Sequence, residues 1–313
     1  MKAQATSKTR NTQATERNQA QPRVDVYERV TASIVRALEQ GTRPWMKPWS
    51  RIEGEGAAGL PLRANGTPYR GINVLLLWGA AADAGYTSST WMTYKQAEAQ
   101  GGRVRKGERG SMVVFANSFT KTETGENGQD EEREIPFLKA YTVFNVAQID
   151  GLKELDASPV PVLEKPQLIE RAEAFITGTG AVIRHGGNRA FYAPGSDHIQ
   201  LPPVQAFRDI ESYTATKAHE LIHWTGHASR TAREFGRRFG DSAYAIEELV
   251  AEMGAAFLCA ELGVAIEPRE DHASYLAHWL QVLKEDKRAI FTAASQAQKA
   301  IDWLQSFIEQ DGG

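Results

Sequence analysis

Cysteine is nearly missing from this chain of 313 residues: Cys259 stands alone. One thiol cannot form an internal disulfide, which excludes the stapled secreted scaffolds and fits a reducing cytoplasm. Long apolar runs are missing too. No stretch reaches the roughly 18–20 apolar residues that a spanning helix needs. The N-terminus has no apolar h-region of a secretory signal. These absences predict a cytoplasmic protein without a membrane partner. Apolar residues make up 42% of the chain, enough to build a core, and the length leaves room for two domains of ordinary size. Cys259 lies in AAFLCAEL, where a buried core thiol is expected rather than a nucleophile.

Net charge is also scarce, at −3, but it is unevenly spread. Residues 1–50 carry nine Lys or Arg against four Asp or Glu, and residues 63–110 carry seven against three. The acidic excess comes later, in the run from Glu123 to Glu134 and in the C-terminal half. A basic N-terminal part beside an acidic remainder points to an anionic partner for one domain only.

What stands out is His219-Glu220-Leu221-Ile222-His223, an H-E-x-x-H sequence. On a helix, positions i and i+4 share a face one turn apart, so both imidazoles can reach one ion. Glu220 is placed to take a proton from water there. Two imidazoles suit a divalent metal, zinc above all. Ala215, Ala218, Leu221 and Ile222 recur at helical spacing between Tyr213 and Trp224, and Gly226 is the expected stop. The competing reading is an amphipathic helix with two surface histidines.

A third ligand must come from elsewhere. Tyr244 to Leu262 reads as an apolar helix with Glu247, Glu248 and Glu252 in its first half. A carboxylate would complete a His₂Glu set. Glu248 is expected as ligand, with Glu252, one turn on, orienting an imidazole through its other nitrogen. Glu247 lies about 100° round the helix from Glu248, so only one of that pair faces the metal easily. Glu247 or Glu252 in place of Glu248 stays open. The longer metzincin pattern fails, because its last histidine position is Ser229 and His227 comes two residues early. Tyr192, Tyr213 and His227 are candidates to stabilise an oxyanion.

Around this site the chain predicts an α+β protein of two domains: a polar tail over 1–22, a basic domain over 23–150, a proline-containing linker over 151–166, and a metal-site domain over 167–313. Residues 25–40 read as an amphipathic helix, PWMKPW as an aromatic turn, and Leu75 to Trp78 as part of an apolar helix. Val104 to Phe115 reads as a hairpin turning at VRKGERG, 116–134 as a loop, and Leu138 to Val146 as a strand. Short strands are expected at 181–184, 190–192 and 198–201, and a long helical region over 271–309. The basic domain interleaves cations with aromatic residues, as single-stranded nucleic acid requires. The same aromatics would equally fill a small core, and four cations within Arg103 to Arg109 are common in a turn.

These blocks carry a resemblance. Residues 25–152, through DVYERVTASIVRALEQG, PWMKPW, PYRGINVLLLW, TWMTYKQA, GGRVRKGERG and YTVFNVAQIDGL, resemble the N-terminal domain of ArdC-type antirestriction proteins. AFYAPGSDHIQLP, KAHELIHWTGH, YAIEELVAEMGAAFL and YLAHWLQVLKEDKRAIFTAASQA resemble the same family. The resemblance implies a single-stranded-DNA-binding domain joined to a zincin-like metallopeptidase domain, on a mobile element such as a plasmid, protecting conjugating DNA from restriction. It implies His219, His223 and Glu248 as metal ligands, Glu220 as the catalytic carboxylate, and DNA contacts within the blocks holding Tyr69, Arg70, Trp91, Lys95, Arg103, Arg105 and Lys106. A restriction-system or host protein would be the peptidase substrate. A DNA-binding protector whose metal is structural, and a metal-dependent nuclease, are the competing functions.

Overall fold

The computed structural model describes residues 25–46, 59–124, 130–152, 163–236, 241–264 and 273–311. The chain is α+β. Helix α1 (Val26–Glu39) starts where the Asp25 side chain accepts a hydrogen bond from the Tyr27 amide, and it buries Val30, Ile34 and Leu38 on one stripe. Strand β1 (Leu62–Arg63) leads to α2 (Ile72–Ala84), which is followed by β2 (Thr90–Met92) and the short α3 (Tyr94–Ala99). Thr93 and Gln96 close a reciprocal capping box at the start of α3. Strands β3 (Arg103–Val104), β4 (Ser111–Thr124), β5 (Asp130–Asn145) and β6 (Ile149–Asp150) complete this part.

The strand order β1-β2-β5-β4 corrects the expected hairpin. VRKGERG does not join two paired strands: β3 pairs with β6, and β4 pairs with β5. The polar stretch read as a loop over 116–134 is largely strand, because β4 and β5 continue outward in register to Thr124↔Asp130. Polar alternation hid it. A ladder satisfies the backbone of both strands whether or not a face is buried. Asn73 clamps α2 to this hairpin, accepting from the Val114 amide at 2.7 Å and donating to the Val114 carbonyl at 2.8 Å.

The second part begins with α4 (Lys165–Gly178), so Lys165 and Pro166 belong to a helical first turn; residues 153–162 of the expected linker lie outside the described residues. Strands β7 (Val182–His185), β8 (Phe191–Ala193) and β9 (His198–Leu201) form a sheet of order β7-β9-β8, leaving β8 at its edge. Helices α5 (Ile210–Thr225) and α6 (Ser242–Leu262) follow, then α7 (Ala273–Glu285) and α8 (Ala289–Asp311). The long helical region expected over 271–309 consists of these two helices, separated at Asp286–Arg288.

One apolar core runs through both parts, joining α1, α2 and Val114 to α5, α6, α7 and α8. Trp45 meets Trp279 edge-on at 5.6 Å, Tyr27 meets Phe291 at 4.7 Å, and Trp78 lies 6.0 Å from Phe257. Cys259 is in this core, and burial pushes its thiol up to about 12, as expected of an inert packing residue.

Candidate metal centre

Helix α5 starts where the Asp209 side chain accepts a hydrogen bond from the Ser212 amide at 2.7 Å. Its middle is buried nearly all round, from Tyr213 to Ile222. Helix α6, capped by Asp241 and ended by the left-handed Gly263, is likewise buried from Glu247 to Ala260. The two pack closely because Gly254 faces Ile222: a Cβ at that glycine would sit 2.9 Å from Ile222 Cγ1. This approach brings the carboxylates of α6 against the histidines of α5.

His219 Nε2 and His223 Nε2 point at each other, 3.1 Å apart. Glu248 Oε2 is 3.6 Å from His219 Nε2, and its Oε1 is 3.7 Å from His223 Nε2. The three donor atoms lie within 4.8 Å of one another. Burial pushes the Glu248 carboxyl up, but the hydrogen bond from His219 and the charges of His223 and His219 outweigh it and lower it to about 2. Tyr244 adds a hydrogen bond to the same carboxylate. Buried, convergent nitrogen and carboxylate donors fit a small divalent cation.

Each imidazole meets another carboxylate on its far nitrogen. Glu252 Oε1 is 3.1 Å from His219 Nδ1, and Glu247 Oε1 is 3.0 Å from His223 Nδ1. Carboxylates in that place can set ring orientation and keep Nε2 turned toward a candidate ion position. Burial pushes Glu247 up, yet His223 and Arg233 pull its carboxyl below the usual range. Glu247 and Arg233 are the residues that spacing did not single out for this role. The adjacency of two glutamates hinted at the first, since a pair about 100° apart can address two imidazoles. Arg233 carried no local signal.

The loop after α5 wraps the site. Arg233 is bonded to Glu247, to Thr225 and Thr231, and to the Ile222 carbonyl. Gly226 has an ordinary helical φ of −75°; it is glycine for space, because a Cβ would meet Phe235 at 2.6 Å and Arg233 at 2.9 Å. Arg230 binds Asp197 and Tyr192 and lies over the Trp224 ring at 3.9 Å, tying the loop to β8. Burial, then the hydrogen bond to Asp197, pushes Tyr192 up to about 12.

A cavity of about 470 Å³ opens over the centre, lined by His219, Glu220, His223, Glu248, Tyr192, Phe191, Tyr244 and Tyr275 among others. Glu220 is 3% exposed. Of the expected oxyanion candidates only Tyr192 lines this cavity. Tyr213 lies against His185, bonded to it at 2.9 Å, and His227 is bonded to Ser229.

The residues expected at DNA are placed unevenly. Trp91 and Tyr69 are 1% and 8% exposed, in an apolar cluster with Leu77, Val113 and Val143, so neither ring offers an open face. Arg70 is exposed but ion-paired with Asp302 of α8. Arg105 pairs with Glu108 at 2.9 Å and Asp150 at 3.3 Å. Lys95, Arg103 and Lys106 are exposed.

Two histidines one helical turn apart, a glutamate from the next helix and a sheet edge beside them define a zincin-like metallopeptidase domain. The family model described as zincin-like metallopeptidase matches residues 170–296, and that of the N-terminal domain of anti-restriction factor ArdC matches residues 24–144. The chain belongs to the ArdC antirestriction family. It is similar to the antirestriction ArdC protein from the R388 plasmid, whose metal-free crystal structure has a TM-score of 0.76 and 45% identity, over 91% of this chain and 98% of that one. The Mn(II)-bound structure of that protein has a TM-score of 0.72 at 46% identity, with the same 91% and 98% coverage. The protein y4eC of Sinorhizobium fredii (strain NBRC 101917 / NGR234) is 43% identical over 90% of this chain and 92% of its own length. The DNA primase TraC of Escherichia coli is 39% identical over 91% of this chain, which spans 27% of that protein. No helix among the described residues is long and apolar enough to cross a membrane.

Proposed function

We propose that this protein binds single-stranded DNA through its N-terminal part and carries a metal-dependent peptidase site, zinc being the fitting ion, that serves to protect conjugating DNA from restriction in the cytoplasm. The observation that carries the reading is the convergence of His219, His223 and Glu248 under a cavity that Glu220 also lines. When bound, such an ion supplies Lewis acidity toward a carbonyl and toward water.

The chain's own residues do the rest. His219, His223 and Glu248 hold the ion, while Glu252 and Glu247 fix the imidazoles. Glu220, beside His219 on α5, accepts a proton from water and delivers it to the leaving amine. Strand β8 presents a ladder edge beside the cavity, and an extended peptide can add to such an edge by main-chain hydrogen bonds. Two imidazole donors favour this reading over a nuclease, whose magnesium prefers oxygen ligands. The Mn(II)-bound relative supports a divalent ion.

The test joins metal analysis, proteolysis of restriction-system or host proteins with and without single-stranded DNA, and a conjugation assay of Glu220→Ala. Loss of protection with DNA affinity intact supports the peptidase. Full protection without this carboxylate would show a DNA-binding protector whose metal site serves another purpose.

A further inference from the structure

The outward face of the β4–β5 hairpin carries two aromatic residues, Phe115 and Tyr141, that the fold leaves about half exposed. In the register of this ladder Val113 pairs with Tyr141, Phe115 with Lys139 and Asn117 with Phe137. Alternate pairs share one face of a sheet. Phe115 is 48% exposed and Tyr141 46%. The Phe115 ring is 6.4 Å from Tyr141 and 6.5 Å from Phe137, so the three rings form a row. The Lys139 ammonium lies 5.2 Å over Phe137. At the inner end of the row, Val113 packs with Tyr69, and the exposed Arg63 guanidinium lies 5.3 Å over the Tyr69 ring.

The opposite face has other business. Val114 is pinned by Asn73 and joins the main core, against which Met112 and Leu138 also pack. Glu134 pairs with Thr120 on that opposite face. The aromatic face thus keeps cations at its two ends, with the nearest described carboxylate of the ladder turned away.

We infer that this face, and not the buried Trp91 and Tyr69, is the stacking platform for single-stranded DNA. The inference rests on the reading that the N-terminal part binds single strands. Unpaired bases stack on Phe115 and Tyr141, while Lys139 and Arg63 neutralise phosphates along the row. Stacking on exposed rings with flanking cations is how single strands are held without sequence readout. Duplex DNA, with its base faces already stacked, gains little here.

The experiment is fluorescence anisotropy of a labelled oligo-dT with the full-length protein. Phe115→Ala and Tyr141→Ala should each weaken binding about tenfold, while Phe115→Trp and Tyr141→Phe keep it. Lys139→Ala should flatten the salt dependence by about 0.7 in the log–log slope. Both residues are about half exposed and lie outside the apolar core clusters, so the alanine variants should stay folded, with only a small drop in melting temperature. If wild-type protein does not bind oligo-dT, the single-strand reading falls and the platform with it. If wild type binds and the alanine variants bind equally well, only the platform falls. If the variants alter self-association in sedimentation yet leave DNA binding untouched, the face belongs to a second copy and the inference is overturned.

Discussion

Arg233 grips Glu247 with two parallel hydrogen bonds, its Nε 2.9 Å from Oε2 and a terminal nitrogen 2.9 Å from Oε1. Both side chains are almost fully buried. Since Glu247 in turn meets His223 Nδ1, the pair connects the loop after α5 to one of the two imidazoles proposed to hold the metal.

Removing the guanidinium leaves a buried carboxylate without its fork. Arg233→Ala should cost about 3–5 kcal/mol of stability. Arg233→Lys keeps the charge but loses the bidentate geometry and should fall in between. Urea unfolding of both variants checks this; a wild-type midpoint for Arg233→Ala would show that the pair stabilises nothing.

Glu247→Gln tests orientation apart from ligation. The amide can still accept near His223 but does so more weakly, and it leaves Arg233 without its counter-charge, so zinc affinity should drop by about 10–100-fold together with a loss of stability. Glu248→Gln should lose more, since it removes a proposed ligand. Competition against a chelating dye reads both; equal losses would contradict the assigned roles.

Ala232 sits in the same loop with φ +49°, a region that costs a residue with a Cβ about 1–2 kcal/mol. Ala232→Gly relieves that strain but gains disorder in the unfolded chain, leaving a net stabilisation of about 0.5–1 kcal/mol. A lower melting temperature for the glycine variant would mean that the methyl group packs usefully.

Glu261 gives a pH prediction. Burial pushes its carboxyl up to about 7, against the hydrogen bond from Gln305 and the charges of Arg70 and Arg171, with Asp302 reinforcing the rise. The unfolded chain therefore releases this proton near its ordinary value of about 4.3, before the folded chain does. Stability contributed by this group falls as pH rises from about 4.5 to 7 and is level above that. Glu261→Gln should raise stability at pH 8 by on the order of 2 kcal/mol and leave it unchanged near pH 4. An equal effect at both pH values would rule out the titration.

Gly254 is the contact that sets how near α6 lies to α5. Gly254→Val should force the helices apart against Ile222, costing about 1–3 kcal/mol and weakening metal binding together with stability. Thermal melts with and without zinc would separate the two effects; unchanged melts would show that the interface yields without cost.

Much of the candidate site was legible in the chain. The i, i+4 spacing of His219 and His223, the apolar period around them, and the carboxylates of a second helix are all local facts, and local periodicity decides which residues share a helix face. The amphipathic stripe of α1 and the short strands β7, β8 and β9 were legible for the same reason. The hairpin was not: in its outer half only Phe119, Ile135 and Phe137 stand among polar and charged neighbours, too sparse an alternation to mark two strands.

By itself, then, the sequence determined most of the helices, the residue types of the candidate metal centre and the family. Tertiary structure decided which neighbour each side chain meets. Glu248 faces the Nε2 atoms and Glu247 the far side of His223 because Gly254 seats α6 at one distance from α5. Trp91 and Tyr69 are core because they pack with Leu77 and Ala81 of α2, whereas Phe115 and Tyr141 lie outside that cluster and are about half exposed. Such choices depend on packing between segments far apart in the chain, and a residue's type does not encode which distant partner will cover it.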